Sequence, residues 1–439
     1  VADFAGKYRY LEQAGGSLQE GACRVQFDAQ TFTLTPDSGA PLAFDLGDID
    51  AVVAAEWEVR LALYTGRSIV LRQFAKAYDA LAQSLTGAYR ERAIRCLLLE
   101  DMTEVARFDG QFELIAAGAA TRAGPAEIRI YKSNLAVLAT STQPFQWRLA
   151  DIDTVRFDAA NYAVVLESGG AQLKVLRLAK RTEEFTRCVR DAKSAVAASG
   201  AQALHAAFPF LDPDRLQSTA ALLREGRAAP VAKLAQIDTR IPAALAANAV
   251  DQDLQPYYER LLAHTADAYV HAGFKLIRPE EDAAGGGESP PAAASDADAT
   301  GPQSLYWFFF PLAAKPGAAR PVNVIAWEAC SREGRATYLF RLVDPAQSAQ
   351  LQDPATAATV VDAAVRSLNR GLALLNFRRR PIYLSDDELA MDPRYHRYAI
   401  AARRIADLRN LRTNFLGRAI HTTPDAWQAQ VDAIIEKAG

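Results

Sequence analysis

The stretch Phe44-Asp45-Leu46-Gly47-Asp48-Ile49-Asp50-Ala51-Val52 is written a second time as Trp147-Arg148-Leu149-Ala150-Asp151-Ile152-Asp153-Thr154-Val155. Aromatic, leucine, aspartate, isoleucine, aspartate and valine recur in the same order. Downstream, Val70-Leu71-Arg72-Gln73-Phe74-Ala75-Lys76 answers to Val175-Leu176-Arg177-Leu178-Ala179-Lys180, with one residue dropped. Upstream, Phe4-Ala5-Gly6-Lys7-Tyr8 answers to Phe108-Asp109-Gly110-Gln111-Phe112. The offset stays near about 104 residues, too long for a solenoid unit and suited to a domain. The front half is a duplicated domain.

Each copy reads as short alternating segments that end in a helix. In the first, apolar residues alternate over Phe4–Leu11, Ala22–Phe27, Thr31–Thr35, Leu42–Leu46, Ile49–Ala54, Val59–Tyr64 and Ser68–Phe74, the period of half-buried strands. Turn residues such as Pro36-Asp37-Ser38-Gly39 and Thr65-Gly66-Arg67 separate them. The period then changes: Tyr78, Leu81, Leu85 and Tyr89 mark one face of a helix. The second copy repeats the order and closes with a helix over about Thr182–Ala197, Phe185, Cys188 and Val189 pointing inward. Trp57 and Trp147 read as core or corner aromatics. The Asp48/Asp50 and Asp151/Asp153 pairs read as turn-capping carboxylates rather than an acid/base pair.

Seven antiparallel strands and one terminal helix in about 100 residues form a plan that resembles the pleckstrin-homology-like fold. The resemblance covers about residues 3–200 and rests on element order and size. It implies a bent sandwich or barrel plugged at one corner by the helix. Many such domains bind phosphoinositides through cations of the first hairpin. Here Glu12 and Glu20 offset Lys7, Arg9 and Arg24, and the second copy has only Arg122 at that tip, which argues against a phosphoinositide membrane. The resemblance implies instead protein docking along a strand edge or the helix-side groove.

Behind the duplication, Leu204–Ile277 has helical periodicity broken by Pro209, Pro213, Pro230 and Pro242, so several short helices are expected. Pro256–Ala272 reads as one amphipathic helix, with His264 and His271 on a shared face. Pro279–Pro302 is rich in Gly, Pro, Ala and acid and reads as a flexible linker or surface insertion. Three strands follow, Leu305–Leu312, Val322–Cys330 and Ala336–Val343, the first apolar enough to be covered on both faces. Helices are expected over Ala355–Leu375, Pro393–Thr413 and Pro424–Ala438.

The fold class is therefore α+β: two tandem seven-stranded pleckstrin-homology-like domains, each closed by a helix, then a helix-rich α+β module with a small antiparallel sheet. The expected segments are 1–104, 105–200, a helical 201–278 packing on the C-terminal module, the linker 279–303, and the module 304–439.

The 439 residues are half apolar and carry a net charge of −3, so no global field recruits nucleic acid or membrane. Four cysteines stand far apart without CxxC spacing, which reads as buried thiols of a cytoplasmic protein. Abundant Ala and Arg suggest a bacterial source. No P-loop, GxGxxG, HExxH or GxSxG motif occurs, and no catalytic, cofactor-binding or metal residue is assigned. The sharpest local feature is a set of arginines, Arg378, Arg379, Arg380, Arg394, Arg397, Arg403 and Arg404, interleaved with Tyr395 and Tyr398. It is a candidate nucleic-acid or acidic-partner surface. The expected function is a non-catalytic adaptor or scaffold for protein partners. Nucleic-acid binding through these arginines is the first alternative, and an unrecognised enzyme the second.

Overall fold

A computed structural model describes residues 2–13, 16–116, 118–277, 304–313, 317, 320–330, 336–392 and 394–438. The segment Pro279–Pro302 lies outside the described residues. The chain divides into two compact units, 1–193 and 194–439.

The first unit holds both copies. Strands β1 (Ala2–Leu11), β2 (Ser17–Phe27), β3 (Thr31–Pro36), β4 (Leu42–Asp45), β5 (Ile49–Ala55), β6 (Glu58–Leu63) and β7 (Ser68–Arg72) form one antiparallel sheet, followed by helix α1 (Tyr78–Cys96). Its order, β4-β3-β2-β1-β7-β6-β5, leaves β4 and β5 as edges. The second copy repeats it with β8 (Glu104–Ile115), β9 (Arg122–Tyr131), β10 (Asn134–Ala139), β11 (Phe145–Arg148), β12 (Thr154–Asp158), β13 (Ala163–Ser168) and β14 (Ala171–Leu176). Their order is β11-β10-β9-β8-β14-β13-β12, and helix α2 (Thr182–Ala207) follows. Each sheet wraps a separate apolar core. Phe32, Leu34, Leu61 and Leu85 are buried in the first, and Leu135, Val137, Leu166 and Val189 in the second.

The duplicated glycine has a steric cause. A Cβ at Gly6 would lie 2.7 Å from the Phe74 ring, and one at Gly110 would lie 2.8 Å from the Leu176 carbonyl and 3.2 Å from Leu178. Phe74 and Leu178 are the equivalent residues after the seventh strands, so each folds back across its first strand where only hydrogen fits. Trp57, in contrast, is not in the core. Ala55 and Glu58 pair across a two-residue turn in which Glu56 and Trp57 both have positive φ, 52° and 62°. That mirror-image turn suits strand twist but points the indole outward, 69 % exposed.

In the second unit, α3 (Pro213–Leu222), β15 (Ala229–Pro230), α4 (Val231–Ile237), α5 (Ile241–Ala249) and α6 (Gln255–Ala263) precede β16 (His271–Leu276), β17 (Ser304–Ala313), β18 (Pro321–Cys330) and β19 (Ala336–Arg341). Then come α7 (Pro354–Leu374), α8 (Arg380–Tyr383), α9 (Asp386–Met391), α10 (His396–Arg404), α11 (Ala406–Thr413), β20 (Phe415–Ile420) and α12 (Pro424–Ala438). The six strands form one antiparallel sheet in chain order. Both faces are covered. Phe308 and Phe310 meet Tyr258, while Trp307 lies 4.2 Å from Phe377 and donates from Nε1 to Asn369.

Two expectations change here. The helix begun at Gln255 stops at Ala263, and His271 lies in a fully buried strand. Its periodicity was ambiguous because β16 is apolar on both faces and carries no alternation. Residues 201–278 thus supply two strands of the sheet besides helices. Residues 277–303 connect two strands that pair directly, Leu276 with Ser304. The strand Phe415–Ile420 likewise joins the sheet beside β19.

Asp238 is a strongly anchored carboxylate of this unit. Hydrogen bonds from the Arg240 side chain and backbone, with Arg215 at 2.9 Å, hold it well below the usual carboxylate range. Because the folded-state value lies below the unfolded one of about 3.9, its stabilisation is present above roughly pH 4 and is lost as pH falls further. Asp238→Asn is expected to flatten the acid limb of a stability-versus-pH profile while costing stability near neutrality. For the first unit, Gly110→Ala is expected to cost about 1–3 kcal/mol in urea unfolding, since a backbone oxygen does not rotate away as a side chain would.

Candidate interaction surface

The two sandwiches of the first unit are locked by a charge cluster whose centre, Arg129 with Glu127, is buried. Arg129 on β9 is almost wholly buried. Its guanidinium contacts Glu127 at 2.6 Å and reaches Glu91 of α1 at 2.5 Å. Arg90 of α1 contacts Glu127 at 3.3 Å. Burial by itself would depress the Arg129 pKa, but the hydrogen bonds it donates to Glu91 and Glu127 outweigh it and raise the value. Gln146 adds a hydrogen bond to the Leu97 carbonyl at the end of α1.

This lock brings the second copy onto the edge of the first. The Val52 N–H on β5 donates to the Thr140 carbonyl just beyond β10, at 2.8 Å. One edge strand of the first sandwich is therefore already engaged by its neighbour.

Its counterpart β12 ends the second sheet. The Val155 carbonyl accepts from Arg190 of α2 at 3.3 Å, so that carbonyl points away from β13. In a strand the N–H and C=O of one residue face the same side, so the Val155 N–H points outward too, as does the peptide of Phe157 two residues on. Lys193 donates to the Asp153 carbonyl at 2.8 Å, the place taken in the first copy by Tyr89 on Asp50 at 3.0 Å. Among the described residues no strand pairs with the outer side of β12.

At the far end of this edge Phe157 and Tyr162 stack edge-on at 5.5 Å, 44 % and 58 % exposed. Tyr162 has φ 48°, and left-handed backbone costs a side-chain-bearing residue roughly 1–2 kcal/mol. The nearby carboxylates are engaged locally. Asp158 accepts from the Asn161 side chain and turn amides, Glu167 from Thr154 and Gln172, and these bonds lower both pKa values.

The arginines of the C-terminal module converge only in part. Arg378 and Arg397 both donate to the Tyr398 hydroxyl, at 3.0 and 3.2 Å, and Arg380 donates to Tyr395 at 3.2 Å. Arg394 pairs with Asp392 at 2.7 Å and Arg403 is exposed. Arg379 turns toward the Ala329 carbonyl at 3.5 Å, and Arg378, Arg379 and Arg404 are buried. Sequence spacing could not separate the buried from the exposed guanidiniums, because α8 to α10 are short and pack on neighbouring elements, α9 on α10, α10 on α11, and α8 on α11 and β20.

Two histidines sit in buried polar contacts. His271 places Nδ1 at 2.9 Å from the Tyr269 carbonyl and Nε2 at 2.8 Å from Asp362, so both nitrogens face acceptors. The hydrogen bond from His271 lowers the Asp362 pKa. Thr337 donates to Glu328 at 2.6 Å, accepts from Trp427 Nε1 at 2.9 Å and lies 3.0 Å from His421 Nε2. His421 stacks on Tyr257 at 4.2 Å. A hydroxyl between imidazole and carboxylate has the elements of an activated nucleophile. Thr337 is completely buried beneath Trp427, however, so the cluster fastens α12 to the sheet.

The chain matches no protein-family model, and no curated protein matches it.

Thr337→Val preserves shape but strips partners from a buried carboxylate and an indole N–H. It is expected to destabilise the second unit by about 2–3 kcal/mol in chemical denaturation, with far-UV circular dichroism unchanged under native conditions.

Proposed function

We propose that this protein is a non-catalytic adaptor, cytoplasmic and bacterial, built on two pleckstrin-homology-like sandwiches. The second of them receives an extended segment of a protein partner along β12. The observation that carries the reading is the asymmetry between equivalent edges: Val52 is engaged by Thr140, while the outward peptides of Val155 and Phe157 face no strand among the described residues. Addition of a strand to such an edge supplies main-chain hydrogen bonds, with side-chain contacts setting selectivity. The element order of each copy supports the family resemblance, and four free cysteines suit a reducing compartment.

The nucleic-acid reading has less support, because a phosphate backbone does not reach guanidiniums buried as Arg378, Arg379 and Arg404 are. The enzyme reading would have to open the core around Thr337.

Val155→Pro removes the outward N–H without disturbing the pairing to β13, since proline is tolerated on the free side of an edge strand. With the full chain immobilised in lysate of its native host, a stoichiometric partner is expected on the wild type and is expected to be lost from Val155→Pro at unchanged unfolding midpoint. A partner held equally by both proteins would overturn the reading.

A further inference from the structure

The two copies differ most informatively where the closing helix borders the edge. Aligned through Leu81 with Phe185 and Leu85 with Val189, all four buried, the helix positions beside the edge are Thr86 and Tyr89 in the first copy. In the second they are Arg190 and Lys193. The neutral pair stands where the edge is engaged by the chain's own neighbour, and the cationic pair where no strand is engaged among the described residues.

A second copy of the chain does not suit this edge. The lock that holds Thr140 on β5 uses Arg90 and Glu91 of α1 against Glu127 and Arg129 of β9. The corresponding helix residues of the second copy are Ser194 and Ala195, and the corresponding β2 residues of another chain would be Arg24 and Gln26. None of those ion pairs can be rebuilt, so head-to-tail propagation of the internal contact lacks its electrostatic part.

Resting on the reading of β12 as a docking edge, we propose that its occupant is an acidic extended segment of a partner protein, whose carboxylates are read by Arg190 and Lys193 and whose apolar end meets Phe157 and Tyr162. Both cations now cover edge carbonyls, Arg190 that of Val155 and Lys193 that of Asp153. An added strand brings its own N–H groups to those carbonyls and its own carbonyl to the Val155 N–H, as Thr140 does at Val52. The displaced cations then turn to carboxylates one residue along the incoming strand. A basic segment would meet Arg190 and Lys193 as like charges at the same spacing, a repulsion that sets selectivity. Of the carboxylates beside this edge, Glu167 is paired with Arg156 at 3.8 Å, and the charge of the same arginine acts on Asp158.

The test uses the full chain and two fluorescein-labelled peptides, one alternating Val and Glu with a terminal Phe, the other with Lys replacing each Glu. Fluorescence anisotropy is expected to show the acidic peptide bound about tenfold more tightly, with affinity falling as salt rises. The double variant Arg190→Thr, Lys193→Tyr carries the residues the first copy tolerates at those places, so it is expected to fold. It should erase the difference between the peptides, and Val155→Pro should abolish binding of both. Equal binding of the two peptides by the wild type, lost in Val155→Pro, would overturn the acidic partner and leave the docking edge standing. Binding of neither peptide, or binding indifferent to Val155→Pro, would overturn both.

Discussion

A guanidinium buried between two β-sandwiches has to be neutralised where it stands, and the first unit is organised by that requirement. Arg129 takes one carboxylate from its own strand and one from the helix of the preceding copy. Losing Glu127, itself buried, would leave Arg129 in a medium that solvates charge poorly, at a cost on the order of a few kcal/mol, whereas Glu91 is largely exposed and its pair is screened by solvent. The two domains therefore do not behave as beads on a linker. Their mutual position in the first unit carries the Val52–Thr140 hydrogen bond, and this makes the equivalent edges unequal.

Duplication followed by unequal use is the theme of that unit. What both copies keep is steric: a glycine under a folded-back Phe74 or Leu178, an isoleucine in the corner at Ile49 and Ile152, and an apolar helix face at Leu81 and Phe185. What they change lies at the edge and on the flanking helix surface, where packing no longer constrains the residue. An exposed aromatic at the same hairpin tip survives in both, as Trp57 and Tyr162, each in left-handed backbone. Core packing does not reward that conformation, so the tips belong with the surface features of the molecule.

The second unit solves a different problem. Its sheet is buried on both faces, and several polar groups that enter it are tied to one another: Glu328, Thr337, His421 Nε2 and Trp427 in one set, Trp307 with Asn369 in another. A buried network of this kind specifies one arrangement of α12 and β20, because any other leaves donors and acceptors without partners. The arginines in and around α8 to α10 follow the same logic. Several of their guanidiniums are turned inward onto tyrosine hydroxyls and a backbone carbonyl rather than displayed to solvent.

The duplication, the seven-strand-and-helix order and the two-sided burial of Tyr306–Phe310 were legible in the amino-acid sequence, since each leaves a local trace: a repeat, a period or an unbroken apolar run. The strand at His271–Leu276 left none, because a strand covered on both faces has no alternation to set it apart from a buried helix. Trp57 misled for a related reason: residue type argues for the core, and only backbone sign at a two-residue turn sends the ring outward. The candidate site was the least legible part. Arg190 and Lys193 are ordinary helix cations in the chain, and Val155 an ordinary strand valine. Only folding decided which peptide groups were left facing outward, because the neighbouring strand β13 satisfies one side of β12 alone, while the lock at Arg129 brings Thr140 onto the corresponding edge of the other copy.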